Sequence, residues 1–174
     1  MREEKQQEPW LRGTMADLPA VPRAVLHALQ LAEEDLGRWC GELSQEQLNA
    51  RPATLPSVAF QIRHIARSID RLLTYAEGQQ LSDPQMAALR AEMEADARMA
   101  DVFAELRTAI EKAGTRIRTL ASADLEAARA VGRKELPTTL GGLLVHVADH
   151  TQRHVGQAIT TAKLVRGLTP GSSG

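Results

Sequence analysis

The stretch HVADHTQRHVGQ, His146 to Gln157, holds three of the chain's five histidines, each four residues after the last. Imidazole is the commonest side-chain metal ligand. On a helix, residues four apart sit about 40° apart around the axis. Two such rings can converge on one cation, with metal–nitrogen bonds of about 2 Å. A third ligand from another element would close a facial set with open positions, as in catalytic zinc sites. The plain alternative is a pair of core histidines satisfied by carbonyls or neighbouring polar groups.

Direction decides how much chemistry the stretch can support. The helix containing it has an apolar stripe through Leu143, Val147, Ala158 and Thr161. His150 and His154 fall within that stripe, and His146 falls at its edge. Three successive histidines at this spacing span about 12 Å of helix axis, too long for all three rings to share one ion readily. A third ligand must therefore be found among His64, His27 and His146. His64, in QIRHIARSIDRLLTY, lies on the flank of its helix's stripe together with Gln61, so periodicity alone does not aim it inward. His27 faces away from its own helix's stripe, and surface exposure is expected for it.

Other chemistries lack their residues. A zincin helix needs Glu directly after its first histidine, where Val147 or Thr151 stands. Di-iron bundles need Glu three residues before His, and those positions are Gln61, Leu143, Val147 and Thr151. Cys40, the single cysteine, forms no internal disulfide or cysteine zinc site and reads as a small buried hydrophobe. Leu140-Gly141-Gly142 has no strand signal before it and reads as a site of close helix packing rather than a phosphate loop. The acidic run Glu33–Asp35 and the arginines near His64 read as solvated faces.

The elements that must hold the histidines are helical. Alanine, leucine, glutamate and arginine dominate, and runs of β-branched residues are rare. Apolar residues at steps of three and four predict helices over about Pro22–Leu43, Ser57–Glu77, Ala97–Ala121 and Thr139–Arg166. Ser57 is the expected N-cap of the second, Gly78 its stop, and Gly167 the stop of the fourth. Shorter helices are expected at Gln45–Asn49 and about Pro84–Glu94. LPSVAFQIRHIA and LPTTLGGLLVHVA echo one another as similar helix starts. No strand alternation is visible. The fold class is all-α, a four-helix bundle with short extra helices in its connections. Residues 1–18 read as a flexible N-terminal tail whose Trp10-Leu11 pair is apolar enough to dock on the body, 19–166 as the bundle, and 167–174 as a flexible C-terminal tail.

The chain has 174 residues, 43% hydrophobic and 25% charged, with a net charge of −1. That length supports one domain with a substantial core. Near-neutral charge and few aromatic residues argue against a nucleic-acid partner. No apolar run approaches the roughly 18 residues of a membrane span. MREEKQQEPW has no signal-peptide core, so the cytoplasm is the expected location.

A bundle with a histidine in helix two and a late His-x-x-x-His-x-Gly-Gln resembles the DinB-like superfamily, whose relatives include bacillithiol and mycothiol S-transferases. The matching residues are HTQRHVGQ and SVAFQIRHIARSIDRLLTYAEG. The resemblance implies His64, His150 and His154 as ligands of one divalent ion. Zinc is the first expectation, with nickel, iron and manganese open. It implies metal-activated transfer of a low-molecular-weight thiol to an electrophilic small molecule, with no assigned catalytic side chain, and a homodimer. A metal-dependent hydrolase of a small substrate, or a non-enzymatic metal-binding or structural bundle, are the alternatives. Gln157 takes the family's glutamine position and is expected to point inward. Arg153 and Val155 depart from the commoner His-His-Arg-Gly-Gln pattern, and His146 is additional, a wall of the pocket or a donor to a ligand.

Overall fold

The computed structural model describes residues 7–93 and 97–168. Among these residues the chain forms α1 (Ala20–Cys40), α2 (Gln45–Asn49), α3 (Val58–Ala76), α4 (Asp83–Arg90), α5 (Met99–Thr119) and α6 (Leu140–Leu168). An antiparallel hairpin, β1 (Ala128–Val131) and β2 (Leu136–Thr139), precedes α6. Single 3-10 turns occur at Pro9–Leu11, Pro52–Thr54 and Ala91–Met93.

The long helices α1, α3, α5 and α6 form the bundle. Both α1 and α3 pack against α6 and against α5, so α1 and α3 lie across its diagonal. The stripes read from the sequence meet at the centre. Val58, Ile62, Ile65, Ile69 and Leu73 of α3 are each at most 1% exposed. They pack with Val25, Leu29 and Leu36 of α1, Val102, Leu106 and Ile117 of α5, and Leu144 and Val147 of α6. Burying each such side chain contributes about 1.5–3 kcal/mol. Cys40 is fully buried in the same core, and burial pushes its thiol up to about 11.

Capping fixes where the site-bearing helices begin. The Ser57 hydroxyl accepts from the Phe60 amide at 3.2 Å and opens α3. Gly78, with φ at +77°, lets the chain turn away after its last turn. The Thr139 hydroxyl accepts from the Gly142 amide at 3.1 Å and opens α6 in the same way. The sequence echo is therefore a shared capping device. Gly141 and Gly142 permit close packing, since a Cβ would stand 3.1 Å from the Leu125 carbonyl oxygen and 2.9 Å from the Thr138 hydroxyl, respectively.

Several expectations are corrected. The hairpin was not anticipated, and Leu136–Thr139, expected as a helix opening, is a strand. Four-residue strands are too short to show alternation, and Pro137 sits within one of them. Tertiary contacts stabilise them: Arg129 of β1 donates to the Ala76 carbonyl at the end of α3, at 2.6 Å. Gly167 does not stop α6, which continues to Leu168. His27 is buried, 7% exposed, with Nε2 3.1 Å from the Thr14 hydroxyl. The covering residues belong to the segment read as a tail, where Pro9 is buried and Arg12 forms a two-pronged ion pair with Glu34 at 2.6 Å. Glu34 is therefore half-covered rather than fully solvated. Residues 1–6 and 169–174 of the two expected tails lie outside the described residues.

Candidate metal centre

α3 and α6 lie side by side, and that contact brings His64 to His150 and His154. One ring nitrogen from each lies within 4.8 Å of the other two. His64 Nε2 and His150 Nε2 are 3.0 Å apart. The ring centroids of His64 and His154 are 4.4 Å apart, and those of His150 and His154 are 4.5 Å apart. Tetrahedral bonds of about 2 Å would set ligand nitrogens roughly 3.3 Å from one another. The three imidazoles are grouped closely enough that they could hold one divalent ion.

The rear nitrogens show which atoms face the centre. His154 Nδ1 lies 2.7 Å from Gln61 Oε1, an acceptor, so Nδ1 carries the proton and Nε2 is left as a lone pair. Gln61 is 1% exposed. His64 Nδ1 lies 2.8 Å from Glu92 Oε2. Phe60 stacks on the His64 ring, with centroids 5.5 Å apart and planes 15° from parallel.

Burial, followed by the neighbouring histidines, lowers the pKa of His150 to about 4. Burial and His64 lower that of His154 to about 4, while a hydrogen bond with Gln157 pulls the other way. Both rings are neutral at pH 7, the form that binds metal.

The remaining candidates are placed differently. His146 stays at the rim, its side chain 46% exposed and its ring 5.4 Å from that of His150. His27 is committed to Thr14. Gln157 is exposed rather than inward-pointing, although it reaches His154 from the rim. It lines a cavity of about 500 Å³ with Leu55, Pro56, Gln61 and Arg153. That cavity shares Gln61, the hydrogen-bond partner of His154, with the centre.

Glu92 was not legible in the sequence. It is 4% exposed and joins His64 to Arg71. Burial alone would raise its carboxyl, but hydrogen bonds from His64 and Arg71 outweigh that and hold it below the usual carboxylate range. The arginines near His64, read as a solvated face, are largely covered. Side-chain exposure is 14% for Arg63, 19% for Arg67 and 12% for Arg71. Arg67 donates to Glu105 of α5 at 2.7 Å. The packing of α4 and α5 on that side of α3 accounts for the cover.

With this geometry in view, the comparisons with known proteins are direct. The family model of the DinB superfamily matches residues 28–158, most of the chain. The chain belongs to the DinB superfamily. YfiT from Bacillus subtilis has the same fold, with a TM-score of 0.62, 16% identity, and coverage of 84% of this chain and 87% of that one. YfiT is described as a probable metal-dependent hydrolase with an unusual four-helix bundle topology. No curated protein sequence matches. The DinB match spans both histidine-bearing helices through His154, and the likeness to YfiT is one of fold.

Proposed function

We propose that the protein is a metal-dependent enzyme in which His64, His150 and His154 hold one divalent ion, zinc first among the candidates. The observation that carries this reading is the convergence of three ring nitrogens, from two helices, within 4.8 Å. Three neutral protein ligands leave coordination positions open, as catalytic sites require. A divalent ion there supplies Lewis-acid activation of a small nucleophile.

The proposed nucleophile is a low-molecular-weight thiol, transferred as thiolate to an electrophilic small molecule. The chain offers no thiol of its own at the centre, because Cys40 is buried and its pKa is pushed up to about 11. The side chains then have limited tasks. Gln61 holds the His154 ring, and His146 and Gln157 line the approach from the rim. A second reading, activation of water to hydrolyse a small substrate, draws support from the shared fold with YfiT.

The test is a two-armed screen of metal-loaded protein. One arm pairs small thiols with electrophiles, and the other offers esters and amides without thiol. Turnover in the first arm that disappears in His150→Ala and His154→Ala supports thiol transfer. Turnover only in the second supports hydrolysis. Metal at full stoichiometry in both variants would sink the three-histidine centre itself.

A further inference from the structure

We infer that Glu92 is a positioning residue that fixes His64 as the Nδ1–H tautomer and turns its Nε2 into the histidine cluster. This rests on the reading that His64 helps to hold the ion, but its geometry stands without one.

The hydrogen bonds around Glu92 close into a circuit. His64, Ser68 and Arg71 stand on one face of α3, and Glu92 faces them from the turn after α4. Arg71 Nη1 donates to Glu92 Oε1, and Arg71 Nη2 donates to the Ser68 hydroxyl oxygen at 3.2 Å. The Ser68 hydroxyl lies 3.3 Å from His64 Nε2. His64 Nδ1 lies 2.8 Å from Glu92 Oε2. The charges settle the directions of these bonds. A carboxylate held by an arginine only accepts, so Nδ1 must donate. In the neutral ring, His64 Nε2 is then the lone-pair nitrogen, 3.3 Å from the Ser68 hydroxyl and 3.0 Å from His150 Nε2. That lone pair is the one a cation would take.

An ordinary structural ion pair between Arg71 and Glu92 would not account for the second oxygen. A buried carboxylate is costly unless fully partnered. Here one oxygen is satisfied by the arginine and the other by the histidine. Carboxylates behind metal-binding histidines orient the ring and raise its basicity.

The chain on both sides of Glu92 is fastened to the bundle. Before it, Gln85 of α4 donates to Asp70 at 2.7 Å, and Arg67 donates to the Ala88 carbonyl at 2.7 Å. After it, the Ala97 carbonyl accepts from Gln45 at 2.6 Å and Asn49 at 3.0 Å, and its amide donates to Asn49 at 3.2 Å. The short helices α2 and α4 thus help fix where Glu92 can reach.

The test reads the tautomer directly. In metal-free protein labelled with 15N-histidine, long-range proton–nitrogen correlation is expected to show His64 protonated at Nδ1. Glu92→Ala should shift that ring to the other tautomer or to a mixture. Glu92→Gln, whose amide oxygen still accepts, should keep it. Competition against a chromophoric chelator should show Co2+ held about 10- to 100-fold more weakly by Glu92→Ala, with Glu92→Gln nearer the wild type. A wild-type His64 protonated at Nε2 would overturn the inference even if Glu92→Ala did not fold. So would a folded Glu92→Ala with the wild-type tautomer and Co2+ affinity. A wild type that binds no Co2+ overturns the metal reading, and the tautomer result still decides the role of Glu92.

Discussion

His64 Nε2 and His150 Nε2 face one another at 3.0 Å, although 86 residues separate them in the chain. Only the packing of α3 on α6 makes this possible, so the site is a product of bundle topology rather than of one motif. His150 and His154 provide two nitrogens from consecutive turns of α6, and His64 completes the set across the interface. Two of the three rings have a distinct local anchor: Glu92 for His64 and Gln61 for His154.

Loss of one ring should therefore cost more than loss of an anchor. His64→Ala, His150→Ala and His154→Ala are each expected to weaken Zn2+ binding beyond the roughly 10- to 100-fold typical of a supporting residue. Elemental analysis after gel filtration, with chelator competition for the affinity, checks this. Zinc retained at wild-type affinity by any one variant would remove that residue from the ligand set.

Gln61 gives a separable prediction. Its Oε1 lies 2.7 Å from His154 Nδ1 in a position 1% exposed. Gln61→Leu keeps the approximate volume but leaves a buried ring N–H without its acceptor. The expected cost is about 1–3 kcal/mol of metal-free stability, together with metal affinity lower by about 10- to 100-fold. Urea denaturation and chelator competition measure the two effects. Unchanged affinity with reduced stability would make Gln61 a packing residue alone.

What the sequence disclosed follows from how regular each signal is. The pair His150 and His154 was legible because both recur with the stripe of a long helix. His64 was not fixed by periodicity, since it sits on a flank whose meaning depends on which helix packs there. The family resemblance pointed to it, and the packing of α3 on α6 brings it beside the other two rings. Glu92 was not singled out, because the helix expected over about Pro84–Glu94 ends at Arg90 and a single 3-10 turn, which has no periodicity, presents it to His64. His27 was misread for a related reason. A helical wheel knows only its own helix, and the cover over His27 comes from Thr14, thirteen residues earlier and outside any long element. The hairpin has no signature in the sequence because its four-residue strands are stabilised by neighbours such as Arg129 on Ala76, not by their own pattern.

The histidine centre also sets a pH dependence for the metal-free protein. In the fold, His150 and His154 titrate at about 4, below the ordinary value of 6.5, chiefly because burial disfavours their charged forms. Above pH 6.5 both rings are neutral whether the chain is folded or not, and they contribute no slope. Between 6.5 and 4 the unfolded chain takes up protons that the folded chain does not, so stability falls as pH falls. Urea midpoints at several pH values, with a chelator present, should show this decline. His150→Ala and His154→Ala should each flatten it. An equal slope in wild type and both variants would assign the acid sensitivity to other groups.

His27 provides the contrast that separates a structural histidine from the cluster. It is 7% exposed, and its Nε2 is satisfied by the Thr14 hydroxyl at 3.1 Å. His27→Ala would open a small void in α1 and leave the Thr14 hydroxyl without its ring partner. The expected loss is about 1–3 kcal/mol of stability. Thr14→Ala should cost part of the same energy, and the double variant should cost less than the sum, because the two residues share one bond. Neither change should alter Zn2+ stoichiometry or affinity, since the three converging rings are His64, His150 and His154. Denaturation of the four proteins in the cycle, followed by metal titration of each, decides the matter. A loss of bound zinc in His27→Ala without a loss of fold would place a fourth histidine in the centre.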